Sequence, residues 1–164
     1  MKDLRTVTPG AVKVKTGVEA PEAVAEKLAE ILSGTYDLLI RTHEVHWNIE
    51  GPMFYGVHML TETQYGELFA ATDELAERIR ALGHLAPATP GALLDTDAKG
   101  TKAKAGAAAM ITALKDRHEA LSRACHEGIT LAEDSGDPVT ADMLTARSAA
   151  HEKAAWMLRS MAAG

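Results

Sequence analysis

Apolar residues recur along this chain at steps of three and four, the period of a helix rather than the alternation of a strand. In residues 21–50 the stripe runs Val24, Leu28, Ile31, Thr35, Leu38, Thr42, Val45 and Ile49. Pro21 suits a first helical turn, and Gly51-Pro52 ends the element. A second helix is expected from about Phe54 to Leu82, with Val57, Leu60, Leu68, Ala71, Leu75, Ile79 and Leu82 on one side and Gly83 as its stop. Residues 84–100 hold Pro87, Pro90, Gly91 and Gly100 and read as a long connection with one short turn near Leu93-Leu94. The third helix shows Ile111, Leu114, His118, Leu121, Cys125 and Ala132 at core spacing. Ser135-Gly136-Asp137-Pro138 then breaks the chain. A fourth helix is expected to turn Met143, Ala146, Ala150, Ala154, Met157 and Leu158 inward.

The pattern predicts an all-α chain: a four-helix bundle over 21–164, with the long connection between its second and third helices that marks the ferritin-like arrangement. Residues 1–20, with Pro9, Gly10 and Gly17, read as a flexible arm. At 164 residues and 46% hydrophobic content, the chain can build one core. Cys125 stands alone, which excludes a disulfide framework and a cysteine-based zinc site and points to a reducing cytoplasm. No apolar run reaches the length of a membrane span, and no export signal is recognisable. A net charge of −6 argues against an all-over basic nucleic-acid binder but leaves room for a local basic tail.

The candidate chemistry sits on the second helix. At about 100° per residue, His58, Glu62, Asp73 and Glu77 share one face, almost opposite the core stripe. An ordinary solvated surface would explain charges there, but Tyr65, Gly66, Phe69 and Ala76 lie among them. A solvated face rarely carries a phenylalanine, and Gly66 costs roughly 1 kcal/mol in a helix interior relative to alanine. Glu62 and Asp73 are roughly 16 Å apart along the axis, too far to share one metal. However, the pairs 58/77, 62/73 and 66/69 share one midpoint, near residues 67 and 68. An antiparallel copy crossing there on a twofold would set His58 against Glu77, Glu62 against Asp73 and Gly66 against Phe69 of its mate. Opposed carboxylates then call for a bound cation or a shared proton. His46, near the end of the first helix, supplies a second imidazole, and the donor set suits iron, manganese or zinc. Trp47 and His43, one turn before His46, would support the ligands.

The residues His46-Trp47-Asn48-x-x-Gly51-Pro52-x-Phe54, then His58, then Asp73-x-x-Ala76-Glu77-Arg78, resemble the Dps family of mini-ferritins. The likeness extends to Thr140-Ala141-Asp142-x-Leu144-Thr145 and to the last helix with Trp156. The resemblance implies a hollow dodecamer whose ferroxidase centres lie at twofold interfaces. Each would hold two irons, oxidise Fe(II) preferably with hydrogen peroxide, and pass ferric mineral to the interior, a defence against oxidative stress. By position it implies metal ligands His46, His58 and Glu62 from one subunit and Asp73 and Glu77 from its mate, with zinc or manganese as competitors. Many members carry Asp where Glu62 stands, and the longer side chain shifts the second metal position. Asp137 and Asp142 match acidic positions lining the family's threefold pores, and Ala146 stands where some members have a further carboxylate. The alternative for these two acids is a helix start favoured by the macrodipole.

Several members of that family also bind DNA through a lysine-rich arm. Here Lys2, Arg5, Lys13 and Lys15 face Asp3 and Glu19, and Lys99, Lys102 and Lys104 lie in the long connection. Repeated on one particle, such arms would bind DNA without sequence preference and in a salt-sensitive way, at the nucleoid. The competing function is therefore a DNA-protecting shell with little ferroxidase activity. An intra-bundle di-iron site wants Glu-x-x-His, and a zinc protease wants His-Glu-x-x-His; neither spacing occurs. His84, His118, His126 and His151 read as structural or exposed, and Cys125 as a small core residue.

Overall fold

The computed structural model describes residues 8–94 and 106–162. Four long helices, α1 (Pro21–Asn48), α2 (Phe54–Ala81), α4 (Ala107–Asp134) and α5 (Pro138–Ala162), are joined by short turns except where the long connection carries the single-turn α3 (Pro90–Leu93). There is no strand among the described residues. The fold is the expected four-helix bundle.

α1 and α2 form one hairpin, and α4 and α5 form another. The stripe read on the first helix is buried throughout, from Val24 to Ile49, and meets Val57, Leu68, Leu75, Ile79, Ile111, Leu114, Leu121, Leu144 and Leu158 in one core. The fourth helix differs from its reading. Ala146 is exposed and Met143, Ala150 and Met157 are half-buried, while Thr140, Ala141, Leu144, Ser148, His151, Ala154, Ala155 and Leu158 form the buried face. Ala154 and Leu158 are buried as expected; polar residues at three of the other buried positions carry no hydrophobic signal, so the apolar pattern alone turns the helix partly off its buried face.

Two helix ends are closed by the same device. Gly83 (φ +89°) donates to the Arg80 carbonyl, and His84 N–H donates to Ile79. Gly136 (φ +65°) likewise donates to Glu133, and Asp137 N–H donates to Ala132. The left-handed residue lets two further amides satisfy the orphan carbonyls of each last turn.

Of the arm expected to be flexible over 1–20, residues 8–20 are described. They contain no helix, yet Val12 N–H donates to the Gly83 carbonyl at 2.8 Å and Glu19 N–H to that of Ser135 at 3.0 Å. Val18 packs against the core. This stretch is laid along the end of the bundle where α2 and α4 finish. Lys2, Arg5, Lys99, Lys102 and Lys104 lie outside the described residues.

Candidate metal centre

The short turn after α1 lays the start of α2 beside the last turn of α1. A helix leaves its final carbonyls without intrahelical partners, and that of His46 is one. His58 Nδ1 donates to the His46 carbonyl at 2.9 Å, and His46 Nδ1 donates to the His58 carbonyl at 3.0 Å. The rings stack with centroids 3.8 Å apart and planes 16° apart. A carbonyl only accepts, so Nδ1 of each ring bears the hydrogen, and Nε2 is the nitrogen left to offer a lone pair to an ion. This is how metal-ligating histidines are oriented: one ring nitrogen is tied to a carbonyl and the other is presented to the ion.

Thr61 reinforces the arrangement. Its hydroxyl donates to the Val57 carbonyl at 2.7 Å and accepts from His46 Nδ1 at 3.2 Å. Tyr65 sits edge-on to His46 at 5.2 Å, and Phe54 stacks on His58 at 5.1 Å. His43 lies between Tyr65 (4.5 Å) and Trp47 (5.0 Å), and burial, then the neighbouring His46, lowers its pKa from the ordinary imidazole value. The spacing of His43 and His46 marks the support from α1. Thr61 and Tyr65 carry no ligand signal of their own and emerge only from the packing.

The carboxylates are placed differently. Glu62, Asp73 and Glu77 are all exposed on α2, on the face that also shows Gly66 and Phe69, the latter 67% exposed. Among the described residues of one chain, no three His, Cys, Asp or Glu side chains gather closely enough to hold a metal. One chain thus brings together His46 and His58 but not Glu62, Asp73 or Glu77. Gly66 has open space around it.

Comparison with known proteins bears on the fold and the family. The Ferritin family model, a ferritin-like domain, matches residues 25–163. A DNA protection during starvation protein of Agrobacterium fabrum is 33% identical over 147 residues, covering 86% of this chain and 88% of its own. The crystal structure of a Dps protein from Bacillus brevis superposes with TM-score 0.80 at 30% identity, over 90% of this chain and 99% of that one. The chain belongs to the Dps family. DpsC from Streptomyces coelicolor, with TM-score 0.85 at 23% identity and 96% of this chain covered, shares the fold.

For a Dps-family chain the two candidate pore acids behave unequally. Asp137 is 1% exposed, and its oxygens accept from Arg78 Nη2 at 2.7 Å, from the Thr140 amide at 3.0 Å and from the Thr140 hydroxyl at 2.6 Å. It caps the first turn of α5 ahead of Pro138 and pairs with the end of α2. Its carboxylate is engaged inside the chain, the helix-start alternative weighed for it above. Asp142 is exposed. The histidines read as unrelated also differ in surroundings: His118 and His151 form a buried Nδ1–Nδ1 contact of 3.0 Å, and His126 lies 3.2 Å from Glu152 at the surface.

Proposed function

We propose that this Dps-family chain assembles into a closed shell, a dodecamer in the family pattern, that oxidises and stores iron at sites shared between twofold-related subunits. The observation that carries the reading is the reciprocal tie of His46 and His58 to each other's backbone, which presents two imidazole lone pairs at one edge of an acidic helix face. Two imidazoles are only part of the donor set. Glu62 of the same chain and Asp73 and Glu77 of a mate crossing near residues 67 and 68 complete it. Phe69, left exposed on that face, finds cover against Gly66 of the mate. Asp142 is the remaining candidate for a pore carboxylate.

Iron is the substrate, with two Fe(II) ions at each site and zinc or manganese as competitors. Each Fe(II) gives up one electron; hydrogen peroxide accepts both, its O–O bond breaks, and two protons complete two waters. A two-electron reduction releases no hydroxyl radical. Glu62 reaches one methylene further than the aspartate common at its position, so the second ion sits further from the imidazoles or is held with a different affinity. Anaerobic Fe(II) loading followed by peroxide tests the reading. A rapid rise of ferric absorbance in a soluble particle of about twelve subunits supports it; uncatalysed oxidation and precipitation overturn it.

A second reading, a shell that coats DNA, is favoured by the likeness to a DNA protection during starvation protein and by Lys13 and Lys15, both exposed on the described part of the arm. Its binding would be independent of sequence and steeply salt-dependent. No helix among the described residues is long and apolar enough to cross a membrane, and we place the shell in the cytoplasm, at the nucleoid if the DNA reading holds.

A further inference from the structure

The two hairpins are each tightly packed, but α2 and α5 touch each other in few places. In this seam three buried polar atoms have no partner among the described residues: both amide atoms of Gln64 on α2, and Nε2 of His118 on α4. Gln64 is 4% exposed and His118 2%. Both line one cavity of about 10 Å³, with Glu67 and Arg147 also in its wall and His151 beside His118. Buried polar groups left unpaired are costly, and native interiors rarely tolerate several at one place.

We propose that this cavity binds a single internal water molecule that bridges Gln64 to His118 and thereby fastens the α1–α2 hairpin to the α4–α5 hairpin. The size fits: about 10 Å³ of accessible volume is close to the least that holds one water. The partners fit as well, because a buried water needs two to four polar groups and the cavity wall offers Gln64, His118, Glu67 and Arg147. A cation does not fit. Arg147 already sets its positive charge against His118 and His151, and the two Nδ1 atoms face each other at 3.0 Å rather than into the cavity. The water extends the His118–His151 contact into a polar chain running from α2 through α4 to α5. Four lining residues, Gln64, Glu67, Ala150 and Ala154, are shared with a groove of about 140 Å³ between α2 and α5, through which the water exchanges with solvent.

The assembled wild-type protein and Gln64→Leu test this together. A crystal structure resolving ordered solvent should show a water within hydrogen-bond distance of His118 Nε2 and of one Gln64 amide atom. A dry cavity, or Gln64 turned onto another partner, overturns the proposal. Leucine keeps the volume of Gln64 and removes both polar atoms. With the bridge, Gln64→Leu strands His118 and lowers the thermal midpoint by roughly 2–6 °C. Without it, the same change removes two unpaired groups, and an unchanged or raised midpoint overturns the proposal. In a His118→Leu background the loss from Gln64→Leu should shrink by at least half; full additivity would break the proposed link.

Discussion

Arg78 Nη2 lies 2.7 Å from the Asp137 carboxylate, so the last turn of α2 and the first turn of α5 are fastened by one buried ion pair. Arg78 Nε also donates to the Thr140 hydroxyl at 2.9 Å, and Asp137 takes the Thr140 amide and hydroxyl. Both charged side chains are at least nearly nine-tenths covered. Glu77, proposed as a ligand to the mate's histidines, is the residue before Arg78, so the clamp steadies the backbone from which that carboxylate projects.

Asp137→Ala should therefore cost more than a lost helix cap, which is about 1 kcal/mol. It strands the Arg78 guanidinium, and breaking a buried pair from one side costs about 3–5 kcal/mol. Chemical denaturation should show a loss of about 3 kcal/mol or more. A loss under about 1 kcal/mol would mean that Asp137 acts as a cap only.

Acid should unfold the subunit in two stages with separable causes. Burial, then the charge of Arg147, pushes the His118 pKa down from 6.5 to about 4; burial, then the charges of His118 and Arg147, takes His151 to about 3. Both are depressed, so the unfolded chain binds more protons below pH 6.5 and stability falls as the pH drops. Each ring contributes about 1.4 kcal/mol per pH unit until its folded value is reached. Asp137 enters later: burial raises its pKa, but the hydrogen bonds from Arg78 and Thr140 outweigh this and hold it below the usual carboxylate range. Its contribution is intact above about pH 4 and is lost only beneath that. Denaturant midpoints measured from pH 7 to pH 4 should fall steadily in the wild type and more gently in His151→Phe.

Mixed shells test the shared site. In a twofold pair of one His58→Ala subunit and one Glu77→Ala subunit, one site carries both lesions and the other carries neither. Each variant alone should lose catalysed Fe(II) oxidation, and coassembled shells should recover about a quarter of wild-type activity if pairing is random. Coassembled shells as inactive as the parents would place the ligands within one subunit.

The arm should come loose in Gly83→Ala. A Cβ at this residue would stand 2.2 Å from the Val12 carbonyl oxygen, at a φ of +89° that an L side chain rarely adopts. Limited proteolysis should cut the variant within residues 8–20 faster than the wild type, and stability should drop by about 1 kcal/mol or more. Equal protection would show that the arm is held from elsewhere.

Cys125 should resist thiol reagents in the folded protein. It is fully buried, and burial pushes its pKa up to about 11, leaving little thiolate at neutral pH. Labelling should appear only with denaturant; rapid labelling of the native shell would contradict the packing of α4.

The sequence by itself determined the helices, their order and their main core stripe, because helical periodicity and Gly/Pro punctuation are local properties. The stripe from Val24 to Ile49 and the stop at Gly83 are legible without coordinates. It also named His46 and His58, whose spacing from the turn places them side by side. Tertiary structure decided what depends on neighbours from other elements. Asp137 looks like any acid at a helix start until Arg78 arrives from α2. The inward face of α5 is carried by Thr140, Ser148 and His151, polar residues buried because α4 supplies partners to Ser148 and His151, and Arg78 of α2 together with Asp137 to Thr140. The free Nε2 atoms of His46 and His58 follow from backbone carbonyls that no side-chain pattern encodes. Periodicity fixes which way a side chain points; only packing fixes what it meets.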